Sequence, residues 1–246
     1  MTDRKPTLMT STRRTVLLSL SALPLAACET LDPALIEGVL GAGTLSEGDA
    51  ALGIRAALDN GVGNALSKLG RRDGFFGNPV VRIPLPAVLQ DLQSYLAPVG
   101  ADGLLVELQQ QLNRGAEKAA PVARDIFIGA VRDLTIRDAI GIVRGSDTAA
   151  TDYLRTRTSA DLTTLFAPIL QDALADTGAL RLIDEVESQI PVALVTGADV
   201  DLKRDLVRHG VDHALRGVFH YIAEEEVAIR RDPAARTSAI LKRVFG

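Results

Sequence analysis

The chain has three histidines, His209, His213 and His220, and all fall in one stretch of helical pattern. At about 100° per residue, His213 lies about 40° and His220 about 20° from His209, so the three share a face. A histidine pair at i, i+4 can bind zinc or copper, with Asp205 or Glu224 as a neighbouring carboxylate. That face, however, is turned about 120° from the centre of the apolar stripe Leu206, Val207, Ala214, Val218 and Tyr221. A solvated polar flank is the simpler reading. Metal binding through His209 and His213 stays as an alternative, and no cofactor is expected.

Carboxylates supply the next candidates. Glu224-Glu225-Glu226 precede Arg230, Arg231 and Asp232, and paired carboxylates can do acid–base work when one is buried with a raised pKa. Glu226 faces Arg230 at i, i+4, the spacing of a surface ion pair worth a few tenths of a kcal/mol. The other structural reading is a buried ion network that locks the last helix against the long one. Asp232 before Pro233 reads as an N-cap, with Arg236 in reach of it. Asp138, third after Thr135, reads as one half of a capping box. Asp147, Thr151 and Tyr153 follow in the next turn and could line a cleft with it. The candidate ligand-binding residues are therefore Asp138, Tyr153, Glu224, Glu225 and Arg230, and no catalytic residue is assigned. The sequence holds no phosphate-binding Gly-rich loop, no His-Glu-x-x-His and no Gly-x-Ser-x-Gly. Gly61-Val62-Gly63 lies inside a helical pattern and is not a cofactor loop.

The beginning of the chain reads as an address. Arg13-Arg14 precede an apolar, uncharged run from Thr15 to Leu25, and the run meets Ala26-Ala27-Cys28. A positive flank, about a dozen apolar residues and small residues at the end make a secretory signal. The run is shorter than the roughly 20 residues of a membrane span. Leu25-Ala26-Ala27-Cys28 resembles the bacterial lipobox, which implies that the Cys28 sulfur carries lipid. Cys28 is the only cysteine, so internal disulfides and multi-cysteine metal sites are excluded. Thr12-Arg13-Arg14-Thr15 resembles a twin-arginine signal, and a Sec signal with two arginines reads equally well. Glu29, rather than Asp, follows the cysteine and favours the outer membrane. The expected place is the periplasmic side, anchored by Cys28.

Of 246 residues, 47% are apolar and 24% charged, ordinary values for a globular chain. Removing residues 1–27 takes four cations and one aspartate from totals of 27 and 31, leaving a net charge of −7. Such a chain has no diffuse attraction to nucleic acid or an anionic bilayer. The expected partners are the membrane through the lipid alone and an envelope protein or small ligand. The wide, Ala-rich apolar stripes also leave room for a homodimer face.

The expected organisation is a signal at 1–27, a lipidated Cys with tether at 28–44 and a helical domain at 45–246. The fold class is all-α, a single domain of about nine helices with one extended Pro-rich segment near 74–86. Ser46 offers an N-cap for a helix that ends at Gly70. Three prolines hold 74–86 extended. Phe75 and Phe76 plug into the core, or else the segment presents a recognition surface. Helices follow at Ala87–Leu96, from Asp102, from Pro121 and at Ile136–Arg144. Further ones run from Ser146 to Leu154, from Thr158 to Gly178 with a bend at Pro168, and over Ala179–Ile190. A long one runs from Asp199 or Asp201 to about Arg231, and Ala234–Phe245 is the last.

Three stretches resemble a known family: Gly74-Phe75-Phe76-Gly77-Asn78-Pro79 running into Ile83-Pro84-Leu85-Pro86, and Leu134-Thr135-Ile136-Arg137-Asp138-Ala139 with Ala149-Ala150-Thr151-Asp152-Tyr153. The third is the tail Ile229-Arg230-Arg231-Asp232-Pro233-Ala234-Ala235-Arg236-Thr237 to Gly246. The chain is similar over 45–246 to the domain-of-unknown-function family 4197, exported proteins of Gram-negative bacteria. The resemblance implies an all-helical envelope protein and implies no activity. The expected function is a non-enzymatic, lipid-anchored binding or interaction domain. An envelope enzyme using the Glu224–Asp232 region is the alternative.

Overall fold

The computed structural model describes residues 47–175, 178, 180, 181, 183, 184 and 201–231. The chain divides between Thr44 and Leu45, and all of these residues lie in the second unit, Leu45–Gly246. Helices α1 (Glu47–Leu69), α2 (Ala87–Leu96), α3 (Gly103–Val122) and α4 (Arg124–Arg132) come first. They are followed by α5 (Ile136–Arg144), α6 (Ala149–Ala175) and α7 (Leu202–Arg231). Among the described residues there is no strand, and no helix is long and apolar enough to cross a membrane.

Helical spacing decides which side chains are buried. Ile54, Leu58, Val62, Ala65 and Leu69 of α1 are all buried, as are Leu105, Leu108, Leu112, Ala116 and Ala119 of α3. Leu154, Leu162, Phe166 and Leu170 of α6 and Leu206, Ala214, Val218 and Ile222 of α7 complete the centre. There α3 and α7 both pack on α6, while α1 lies against α7 and α5. With no tryptophan, aliphatic side chains carry most of the packing, and Phe127 meets Phe219 edge to face at 5.9 Å.

Several expected boundaries hold. α1 stops at Gly70, where a Cβ would sit 2.6 Å from Cγ of Pro121. α2 ends through a 3-10 turn, Ala97–Val99, into Gly100 at φ 71°. α5 opens on a full capping box: Asp138 N–H donates to Thr135 Oγ1 at 3.1 Å, and Thr135 N–H to Asp138 Oδ2 at 3.0 Å. Asp201 caps α7, accepting from Arg204 N–H at 2.9 Å.

Nine helices are not reproduced; the described residues form seven. The two helices expected from Ser146 to Gly178 are one, α6. Thr158, expected as a cap, is buried within it and donates its hydroxyl to the Leu154 carbonyl at 2.8 Å. Thr156, Ser159, Thr163 and Thr164 make the same i−4 bond, so their hydroxyls are satisfied inside a continuous helix. Pro121 does not start a helix. It lies in the last turn of α3, and Ala123 alone separates α3 from α4. The helix expected at 179–190 is described only in part, and Ser46, Asp232 and the helix at 234–245 lie outside the described residues.

Candidate functional site

The segment 74–86 is extended only over 82–86; residues 74–81, expected to be extended as well, form successive turns (Asn78 N–H to the Phe75 carbonyl at 3.1 Å, Arg82 N–H to the Asn78 carbonyl at 2.8 Å), and the whole is fixed between α3 and α7 by buried polar groups. Oε1 of Glu117 accepts the Phe75 and Phe76 backbone N–H groups at 3.1 and 3.2 Å. Its Oε2 accepts from Arg114 at 2.6 Å, and Arg114 also donates to Asp73 at 2.7 Å. The bond to Glu117 raises the Arg114 pKa, partial burial opposes the rise, and Asp73 adds to it. Asn113, fully buried, accepts from Ile83 N–H at 2.8 Å and donates to the Ile83 carbonyl at 2.9 Å. One amide thus does for Ile83 what a neighbouring strand would do. On the other side Tyr221 Oη accepts from Asn78 at 2.5 Å. Phe75 fills the core as expected. Phe76 does not; it stays half-exposed, with the Arg82 and Arg114 guanidiniums 5.0 and 5.8 Å from its ring centre.

A second buried carboxylate ties α7 to α6. Glu226 is 9% exposed and accepts from the N–H groups of Ala150 and Thr151 at 2.9 and 2.8 Å. It also accepts from the Thr151 hydroxyl at 2.8 Å and from Arg230 at 2.9 and 3.1 Å. Arg230 in turn donates to the Ile142 carbonyl at 2.8 Å. Glu226 is therefore an N-cap supplied from another helix, with its charge at the positive end of α6. The expectation of a surface Glu226–Arg230 pair is corrected, because both side chains are about nine-tenths buried. A pit of about 20 Å³ beside them, lined by Ile54, Leu58, Gly61, Ile222 and Ile229, has the volume of a single water.

The remaining candidates lie apart. Asp138 is occupied by its cap, and the Thr135 hydroxyl followed by the Thr135 N–H holds its pKa below the usual carboxylate value. Tyr153 donates to the Ala130 carbonyl at 3.3 Å, and burial pushes its pKa up, with the charge of Asp138 adding to the rise. It lines a groove of about 340 Å³ with Asp125, Asp133, Arg157 and Asp161. Glu224 is exposed beside His220 at 3.4 Å. Glu225 bridges α7 to α1, accepting from Asn64 at 2.9 Å and Lys68 at 3.3 Å. Asp147 pairs with Arg231 on the surface, and Asp205 with Arg208. These groups do not converge on one cavity.

Nor are the histidines one solvated flank. His209 and His213 are half-buried with ring centres 4.0 Å apart, and only His220 is exposed. His209 Nε2 donates to the Pro84 carbonyl at 2.9 Å, and His213 Nδ1 to the His209 carbonyl at 2.9 Å. Burial lowers the His213 pKa, the bond to His209 opposes this, and the His209 ring charge adds to the lowering. His209 Nδ1 and His213 Nε2 are the ring atoms a metal would use. Among the described residues no group of three or more His, Cys, Asp or Glu could hold one.

The family model for "Protein of unknown function (DUF4197)" matches residues 44–246. The chain belongs to this family. No curated protein and no solved structure matches it. In this DUF4197 chain two of the three motifs that carry the likeness have a structural role: the Gly74–Pro86 stretch is the strap clamped by Glu117 and Asn113, and Ala150-Thr151 is the helix end capped by Glu226; the tail beyond Arg231 lies outside the described residues. Glu117 and Asn113 were not among the sequence candidates, and Glu226 stood only in the Glu224–Asp232 carboxylate run, not among the ligand-binding residues. Glu226 did carry a signal, since it continues the buried positions Leu215, Val218, Ile222 and Ile229 at intervals of three and four.

Proposed function

We propose that this chain is an exported lipoprotein whose helical domain works by binding rather than by catalysis. Cys28 anchors it on the periplasmic side, with the outer membrane favoured by Glu29, and the domain engages an envelope protein or small ligand. One observation carries the reading: both oxygens of each buried carboxylate, Glu117 and Glu226, already accept from backbone N–H or arginine donors. Oxygens engaged in this way fix backbone and arginine groups in place. These polar groups therefore serve as internal clamps, which leaves the surface to carry function.

Intact-mass analysis of the mature chain from its own host tests the anchor. The reading expects an N-terminus at Cys28 with an acyl mass on it, lost in Cys28→Ser. A mature chain that starts elsewhere and leaves the membrane with a salt wash contradicts it. Metal binding keeps one supporting observation, the 4.0 Å approach of His209 and His213. It requires stoichiometric zinc or copper uptake that His213→Gln abolishes, and unchanged uptake in that variant sinks it.

A further inference from the structure

The turns after α1 gather positive charge in a chain whose formal net charge is −4. Residues 68–82 hold Lys68, Arg71, Arg72 and Arg82 against the single acid Asp73. The facing part of α3 adds Arg114, Glu117 and Lys118, and a Cβ at Gly70 would meet Pro121, so the ends of α1 and α3 lie side by side. Asp73 and Glu117 are both held by Arg114, and Lys68 pairs with Glu225 at 3.3 Å. Arg71, Arg72, Arg82 and Lys118 are left, all exposed and without an ion pair among the described residues. They make a local positive field on a chain that is acidic as a whole.

The same turns keep apolar side chains out of the core. Phe76 is half-exposed, and Val80, next to the exposed Pro79, is 65% exposed. Arg82 holds Phe76 there: its Nε donates to the Phe76 carbonyl at 2.5 Å, and its guanidinium lies 5.0 Å from the ring centre, with that of Arg114 at 5.8 Å. Cations at a helix C-terminus often do no more than answer the helix dipole, an effect confined to the last turn. Arg71 and Arg72 stand at such an end, just past α1. Arg82 and Lys118 do not, since one lies outside any helix and the other precedes the last turn of α3. Nor does a dipole give any reason to hold an aromatic ring outward beneath a guanidinium.

Exposed apolar groups among unpaired cations fit a surface that is anionic outside and apolar just beneath, which is the headgroup boundary of a phospholipid bilayer. A polyanion in water would match the cations and leave Phe76 and Val80 unburied. We propose that the turns 71–82 are a membrane-contact surface for anionic phospholipid. Phe76 and Val80 enter the headgroup layer, and Arg71, Arg72, Arg82 and Lys118 face the phosphates. Each cation near such a surface strengthens binding about fivefold, the equivalent of about 1 kcal/mol. The contact adds a second membrane signal to the lipid expected on Cys28, and stable anchoring takes two. It does not rest on that lipid, since it follows from these turns alone.

The test is co-sedimentation of the mature chain carrying Cys28→Ser, and so free of acyl lipid, with vesicles of phosphatidylglycerol and phosphatidylcholine mixed one to one. Binding should fall as salt rises and be at least tenfold weaker on phosphatidylcholine alone. Arg72→Glu with Lys118→Glu should weaken it at least tenfold; neither side chain bonds to a described residue, so the melting temperature should hold. Phe76→Ser should weaken it about fivefold. Arg137→Glu with Arg216→Glu, exposed on α5 and α7, makes the same change of net charge and should leave binding within about twofold. No binding, equal binding to both vesicles, or binding indifferent to Arg72→Glu with Lys118→Glu overturns the proposal. So does binding that Phe76→Ser leaves unchanged, because any polyanion would then serve in place of a bilayer. None of these outcomes bears on the acylation of Cys28, which the test removes.

Discussion

Replacing Glu226 by Ala removes a carboxylate that holds five hydrogen bonds in the space between α6 and α7. The Ala150 and Thr151 N–H groups then face a cavity, and Arg230 loses both of its bonds to Glu226 while keeping the one to the Ile142 carbonyl. Loss of an N-cap alone costs about 0.5–2 kcal/mol. Breaking a buried ion pair by deleting one member costs about 3–5 kcal/mol. The two overlap, because Arg230 and the helix end share one carboxylate, so the expected loss is about 3–5 kcal/mol rather than their sum. For a domain of this size that corresponds to a fall of roughly 6–20 °C in Tm. Chemical denaturation followed by circular dichroism reads the loss, with Glu224→Ala as the neighbouring control, expected within about 0.5 kcal/mol of wild type. Glu226→Ala with Arg230→Ala should cost less than the separate losses added, because each single change already breaks the bonds the two side chains share. If Glu226→Ala and Glu224→Ala unfold alike, the cap and the buried pair do not exist as described.

Three further outcomes follow from the same packing. Gly217→Ala forces a Cβ to 3.0 Å from Phe75 and 3.1 Å from Val81, so urea unfolding should show a loss of about 1–3 kcal/mol; Gly63→Ala has open space and should gain about 0.5–1 kcal/mol. Asn113→Ala leaves the Ile83 N–H without its buried acceptor and should cost about 1–3 kcal/mol, and hydrogen exchange at Ile83 should rise with it. Because the folded His213 pKa lies below its unfolded value of about 6.5, the unfolded state binds the extra proton first. Stability should therefore fall as pH drops below about 6.5 and level off once the folded pKa is passed; His213→Gln should remove that slope, and a slope unchanged in this variant refutes the assignment.

What could be read in advance was local. The capping box of Thr135 and Asp138 spans three residues, and the apolar face of α1 repeats every three or four, so both are written in adjacent sequence. Glu226 was half legible. Its place on the buried side of α7 follows from periodicity, but its partners Ala150 and Thr151 lie some 75 residues earlier, and only the packing of α6 on α7 brings them together. The histidines were misread because the strap has no period. Nothing in the spacing of His209 and His213 reveals that Pro84 lies over that side of α7. Glycines show the same limit: Gly63, Gly210 and Gly217 look alike in helical patterns, yet Gly63 is open, while a Cβ at Gly210 would meet Leu112 at 2.5 Å. Asp73, at φ 64°, adopts a left-handed turn that aspartate tolerates better than most residues.

Native mass spectrometry of the mature chain, recovered gently from the envelope of its own host, addresses binding most directly. A domain that works by binding should carry an added mass, whether a partner, a small ligand or a second copy, that disappears on denaturation. A bare monomer in every preparation would contradict the account.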